Sequence, residues 1–352
     1  MKEQLKQLSI YQAGKTADEL KSELGIAGDM MKLSSNENVY GPSPEVTRTL
    51  KQSLNLLYEY PDSHGTVLKQ AIAEHYKVKE ESILLGSGLD EVIMMLSRAV
   101  LKPGDDILTC ENTFVQYQHH AVIEDCRIVT APLDTGKFDL QALAEKITAH
   151  TTLIWLCNPN NPTGNYFNQS ELSAFLTKAG EIPVVLDEAY AEYVTAEDYP
   201  DSFSLREKHP NIIILRTFSK AYGLASLRVG YAISSDEWTS IWHRVKLPFN
   251  VTSLSLKAAE AALKDQEYLT DVRQNNAVER QRFYASNISH YLLPSQTNFV
   301  LVKTDDINEL NDYLLTFGII ARPTPVGVRI TIGTAEQNTV VIKALENYFS
   351  TK

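Results

Sequence analysis

The chain has 352 residues, a net charge of −11 and an apolar fraction of 43%. That length exceeds what one hydrophobic core usually organises, so two domains are expected. The acidic balance argues against nucleic acid or an anionic membrane as partner, and no apolar run approaches the roughly 20 residues that cross a bilayer.

Residues 1–30 read as a mixed, partly helical arm, and MKEQLKQLSIYQ lacks the continuous apolar stretch of a signal peptide. Cys110, Cys126 and Cys157 are too scattered for a disulfide framework and lack zinc-ligand spacing. Reduced thiols, no metal and a cytoplasmic location are therefore expected. NENVYGPSP (36–44) is turn chemistry. SILLG (82–86) predicts a strand, followed by a helix over 89–101 with Leu89, Val92, Ile93, Leu96 and Val100 on one face.

The alternation of short apolar runs and amphipathic segments continues through CRIVTAPL, TTLIWLC (151–157), IPVVLDEAY (182–190) and NIIILRTFS (211–219). Strands apolar on both faces belong in a parallel sheet covered by helices. Residues 253–286 predict one long helical stretch. TNFVLVKT, GIIARPT and VRITIGT then predict short strands around the helical ELNDYLLTF. The expected architecture is α/β: the arm, a large domain at 31–255 with a mainly parallel sheet, and a linking helix with a small α+β domain at 256–352.

Ligands of open parallel sheets bind beyond the carboxyl ends of the strands. TTLIWLC is followed there by NPNNPTG (158–164), VVL by Asp187, Glu188, Ala189 and Tyr190, and NIIIL by Arg216, Thr217, Phe218, Ser219 and Lys220. Taken singly these are a turn, a helix cap and a solvated lysine. Together they place an amide, a carboxylate and an amine at one sheet edge. Pyridoxal phosphate chemistry uses all three. In that reading Lys220 forms the Schiff base and then acts as general base, Asp187 keeps the pyridine nitrogen protonated, and Asn161 and Tyr190 hydrogen-bond the ring 3-oxygen. GSGLDE (86–91), Thr217, Ser219 and Arg228 would cradle the phosphate, with Asp90 and Glu91 pointing away from it. As a dinucleotide fingerprint GSGLDE fails, because its third glycine position is Glu91.

With these residues in place, the chain resembles the fold-type I pyridoxal-phosphate aminotransferases over essentially its whole length. The resemblance is carried by LSIYQAGK, KLSSNEN, YEYPD, GSGLDE, ENTFVQY, CNPNNPTGNY, VVLDEAY, RTFSKAYGLASLRVGY and VRITIGT. LSSNEN and YEYPD narrow it towards the histidinol-phosphate branch. It implies that Phe114 stacks on the cofactor ring and that Gly88, Leu89, Thr217, Ser219 and Arg228 form the phosphate cradle. It further implies that Arg329, Arg322, Tyr11 and Asn36 contact substrate, and that Tyr60 reaches the neighbouring subunit's site in a homodimer. The expected reaction is ping-pong transfer of an amino group between histidinol phosphate and 2-oxoglutarate, giving imidazole-acetol phosphate and glutamate. An aromatic aminotransferase and a phosphothreonine-type decarboxylase are the alternatives. A ligand-sensing regulator on the same fold would need a DNA-binding module, and neither terminus has the basic charge for one. Two positions depart from the family pattern: Ser226 stands where glycine is usual, and Leu89 where a small or hydroxylated residue is frequent.

Overall fold

Seven strands make the central sheet: β1 Ile83–Gly86, β2 Asp106–Cys110, β3 Arg127–Ala131, β4 Thr151–Cys157, β5 Val184–Asp187, β6 Ile212–Thr217 and β7 Gly230–Ile233. A computed structural model describes residues 3–8, 19 and 30–352. The strands lie in the order β1-β7-β6-β5-β4-β2-β3. Only β7 runs antiparallel to its neighbours. The expected α/β architecture, mainly parallel and helix-covered, is what forms.

The apolar composition of the runs explains their central position. β1, β5 and β7 are buried at every residue, so each strand needs cover on both faces. Leu, Ile and Val side chains removed from water in this way contribute about 1.5–3 kcal/mol each. Helices between the strands supply the cover. The Gln169–Ala179 helix is representative: Asn168 accepts hydrogen bonds from Ser170 N and Glu171 N, and the Glu171 carboxylate returns to Asn168 N. That reciprocal cap satisfies backbone donors the helix cannot. The buried Leu172, Phe175, Leu176 and Ala179 then face the sheet.

A second core gathers around β8 Phe299–Val302, β9 Arg322–Thr324 and β10 Gly327–Thr331, ordered β8-β10-β9 and antiparallel. Helices Ile307–Thr316 and Ala335–Ser350 cover it. A short strand far upstream, Met31–Lys32, pairs parallel with Ile319–Ile320, and Leu33 is buried in this core. Residues 34–36 are thereby delivered from the smaller lobe to the edge of the large sheet. The predicted helix over 253–286 is two helices, Ser253–Lys264 and Gln266–Tyr284. Asp265 breaks it: its carboxylate accepts from Tyr268 N as an N-cap and from the Ser43 hydroxyl.

Candidate active site

The three chemistry-bearing strand ends meet. Cys157 pairs with Asp187 across β4 and β5, and Asp187 with Leu215 across β5 and β6. The residues that follow each strand therefore emerge side by side. They border a cavity of about 190 Å3. Its walls include Asn36, Leu89, Phe114, Asn161, Asp187, Tyr190, Thr217, Ser219, Lys220, Arg228, Arg322 and Arg329.

Successive strand residues point to opposite faces, which separates two adjacent carboxylates. Asp187 faces the cavity, whereas Glu188 turns away to pair with Arg216 at 2.7 Å. Asp187 accepts from the Tyr117 hydroxyl at 2.5 Å and from Ala189 N at 3.1 Å. Burial raises its carboxyl to about 6, against the pull of those two bonds. Tyr117 is itself fully buried and stacked on Trp155, with ring centroids 4.6 Å apart.

Lys220 follows β6 and turns its amine to the Ser35 carbonyl at 2.9 Å. Burial, with the Arg329 guanidinium as the second cause, lowers that amine to about 8. Both effects disfavour the ammonium form, so the site holds an unusually accessible neutral amine.

NPNNPTG is a buried scaffold. Asn158 and Phe167 exchange side-chain and backbone hydrogen bonds in both directions. Asn160 accepts from Thr113 and donates to Thr163. Both Asn158-Pro159 and Asn161-Pro162 are cis. Held in this way, Asn161 presents its amide to the cavity, and its Oδ1 accepts from Arg329 at 2.5 Å. The Asn161 carbonyl oxygen being taken, its NH2 group is the one left to donate.

At the opposite end, the Gly88–Val100 helix starts without a side-chain cap from Ser87. Gly88 has φ 77°, and any Cβ there would collide with the Arg228 guanidinium. Glycine thus lets Arg228 lie directly over the helix start, which is an arrangement suited to an anion. Ser219 Oγ is 3.4 Å from Arg228 Nη1, and Thr217 Oγ1 accepts from Ser219 N. Leu89 can offer only its backbone N–H. Ser226 lies in the turn Ala225–Leu227, is exposed and does not have positive φ. Its departure from glycine therefore carries no backbone strain. Positive φ falls instead on Arg228, at 50°.

One expectation changes. Asp90 does not point away from the cradle: it lines the cavity and pairs with Arg228 at 3.1 Å. The reason is helical geometry, since Asp90 stands in the first turn beneath the guanidinium. Glu91 does turn away, accepting from Ser87 N and Asn250 Nδ2. Asn36, expected to contact substrate, lines the cavity but directs its amide at Tyr190 and Thr331. Tyr60 is 83% exposed, stacked on Phe249 and outside this chain's cavity. Tyr11 lies outside the described residues. Ser34, Ser35, Cys157 and Ala189 line the cavity without having been singled out. Tyr117 was missed too, although its place three residues after Phe114, in the helix Gln116–Ile123, puts both on one side of the turn.

Four cations (Lys220, Arg228, Arg322, Arg329) face two carboxylates (Asp90, Asp187) in this cavity. A strongly acidic chain has concentrated positive charge at one point, which favours ligands with anionic groups. The fit to pyridoxal phosphate can be tested on the residues present. A glycine-backed guanidinium and a helix start without a Ser87 side-chain cap suit its phosphate, a buried carboxylate suits its ring nitrogen, and an amine of lowered basicity suits its aldehyde.

The family model for class I and II aminotransferases matches residues 28–345. A histidinol-phosphate aminotransferase of Staphylococcus aureus (strain JH9) is 53% identical over 349 residues, covering 99% of each chain. Among solved structures, histidinol-phosphate aminotransferase from Sinorhizobium meliloti, in complex with pyridoxal-5'-phosphate, superposes with a TM-score of 0.90 at 29% identity. That match covers 100% of this chain and 98% of the other. L-threonine-O-3-phosphate decarboxylase from Porphyromonas gingivalis gives a TM-score of 0.75 at 22% identity, over 91% of this chain and all of that one. This last likeness carries the fold alone.

Proposed function

The chain belongs to the class I and II aminotransferase family, and from that premise we propose that it transfers an amino group between L-histidinol phosphate and 2-oxoglutarate, with pyridoxal 5'-phosphate as cofactor. The products are imidazole-acetol phosphate and glutamate, and the reverse direction serves histidine biosynthesis. The full-length relative at 53% identity supports the substrate assignment. The observation that carries the reaction class is the meeting of a buried carboxylate, an amine of lowered basicity and three guanidinium groups in one cavity.

The bound cofactor supplies an aldehyde to take the amine and a ring that accepts electrons from the substrate carbon. The chain's residues do the rest. Arg228, Ser219, Thr217 and the backbone of Gly88 and Leu89 hold the phosphate. Asp187, as a carboxylate, would accept a hydrogen bond from the protonated ring nitrogen and keep it protonated, Asn161 and Tyr190 would donate to the ring 3-oxygen, and Phe114 would cover the ring face. Lys220, freed by substrate, takes the proton from the substrate α-carbon as general base. Arg329 receives the anionic group of either substrate in turn, which suits a reaction whose two donors share one pocket. Arg322, and Tyr11 from the N-terminal arm, complete the substrate contacts.

The active unit is a homodimer in which Tyr60 enters the partner's site. Leu57, Tyr58, Tyr60 and Leu247 are 57–83% exposed and Tyr60 stacks on Phe249, exposed apolar side chains of the kind that associate with a symmetric copy. A cytoplasmic location is consistent with three free cysteines. The test is a side-by-side assay of the purified protein on histidinol phosphate with 2-oxoglutarate, on phenylpyruvate with glutamate, and on phosphothreonine. Turnover confined to phenylpyruvate or phosphothreonine would overturn the proposal.

A further inference from the structure

Tyr190 is reached by a chain of hydrogen bonds whose polarity can be worked out atom by atom. It starts at the backbone N–H of Asn36, which lies 3.0 Å from Thr331 Oγ1 and can only donate. Thr331 Oγ1 therefore accepts there, and its own hydrogen points to Asn36 Oδ1 at 3.3 Å. With Oδ1 turned to Thr331, the Asn36 NH2 group faces the Tyr190 hydroxyl and donates to it at 2.9 Å. The Tyr190 oxygen is thus an acceptor on its protein side. Among the described residues no acceptor takes the Tyr190 hydrogen, and the remaining direction is the cavity.

Thr331 and Asn36 are each 1% exposed and Tyr190 3%, so bulk water does not scramble the order. Asn36 is clamped further: its carbonyl accepts from Asn298 Nδ2 at 3.1 Å, and its φ is 58°. Asparagine and aspartate tolerate that left-handed conformation better than other side chains. Asn36 and Thr331 arrive with the smaller lobe, whereas Tyr190 follows the end of β5 by three residues. The contact therefore crosses between the lobes.

We propose that Thr331 and Asn36 are positioning residues, a relay that directs the Tyr190 hydrogen at the ring 3-oxygen of the cofactor. This rests on the reading that the cavity holds pyridoxal phosphate with Tyr190 at that oxygen. The relay adds a donor-only role for Tyr190. A donated hydrogen stabilises negative charge on the 3-oxygen, so it eases loss of the proton shared between that oxygen and the lysine-bound nitrogen.

The test is the pH midpoint of the visible absorbance of the Lys220-bound cofactor, which reads that proton directly and needs no turnover. Asn36→Asp reverses the polarity, because a carboxylate takes the tyrosine hydrogen for itself. An upward shift of about one to two pH units is expected. Thr331→Val is expected to shift the midpoint in the same direction by less, and Thr331→Ser, which restores the hydroxyl, to leave it at the wild-type value. The added charge of Asn36→Asp acts in a Tyr190→Phe background as well, where only that smaller electrostatic part of the shift is expected to remain. A full-sized shift in that background overturns the relay, as does a Thr331→Val midpoint equal to wild type. Wild-type protein that develops no such absorbance with pyridoxal phosphate overturns the underlying reading instead.

Discussion

The Tyr117 hydroxyl donates to the Asp187 carboxylate at 2.5 Å, with both groups buried and the tyrosine ring stacked on Trp155. The bond favours the charged form of a carboxyl that burial pushes up to about 6. Asp187 must be ionised to accept a hydrogen bond from a protonated ring nitrogen, so Tyr117, which does not line the cavity, is expected to support cofactor binding through Asp187. Losing a hydrogen bond to a charged group costs about 1.5–3 kcal/mol, so Tyr117→Phe is expected to weaken cofactor binding by about 10- to 100-fold. The loss should be steepest at acid pH, where the variant's Asp187 takes up its proton first. Dissociation constants measured across pH check this, and an unchanged profile would refute it.

The raised carboxyl also sets a stability window. Native Asp187 binds its proton more tightly than the unfolded chain, where the ordinary value is 3.8. Native stability is therefore lost as pH rises from about 4 to about 6, and the cost is constant above that, about 3 kcal/mol. Cofactor-free Asp187→Asn is expected to be more stable than wild type at neutral pH. That advantage should fade as pH falls through the window. Denaturant titrations of both proteins at several pH values measure the difference, and a difference independent of pH would contradict the account.

Lys220, lowered from 10.5 to about 8, is expected to govern capture of the cofactor. Only the neutral amine attacks a carbonyl, so the capture rate should rise about tenfold per pH unit and level off above about 8. Burial is the larger cause and Arg329 the second, so Arg329→Gln should move the plateau to higher pH. Stopped-flow absorbance after mixing with pyridoxal phosphate reads both.

The exposed Tyr60 leads to a complementation test. Tyr60→Ala and Lys220→Ala proteins are each expected to be impaired. Reassociated as a hybrid dimer, they form one site with an intact lysine and an intact partner tyrosine. Equal mixing should restore about a quarter of wild-type activity if subunits exchange at random. No recovery, with exchange shown by tagged chains, would place Tyr60 outside the partner's site.

Much of this site was legible because a buried parallel strand announces itself as an apolar run, and its first polar residues mark where the ligand edge lies. Asp187, Lys220 and Asn161 follow from that rule directly. Orientation was not legible. Asp90 and Glu91 are neighbours with like charge, yet one faces the cavity and the other caps Ser87, a choice set by Arg228 and Asn250 from distant parts of the chain. The pairing of Met31–Lys32 with Ile319–Ile320 is similarly non-local, and with the Thr331 and Asn298 contacts it brings Asn36 to Tyr190. The break at Asp265 combines a local cap on Tyr268 N with a contact to Ser43, more than two hundred residues upstream. Ser226 shows the converse: a departure from the family pattern that the backbone makes inconsequential.

The amine of Lys220 is expected to carry the transfer of an amino group from histidinol phosphate to 2-oxoglutarate. Glutamate formation by wild-type and Lys220→Ala proteins, each supplied with pyridoxal phosphate, tests it most directly. The expected result is steady turnover by the wild type and a loss of about 10^4-fold or more in the variant, as when a reacting group is removed. Full turnover by Lys220→Ala, or none by the wild type, would contradict it.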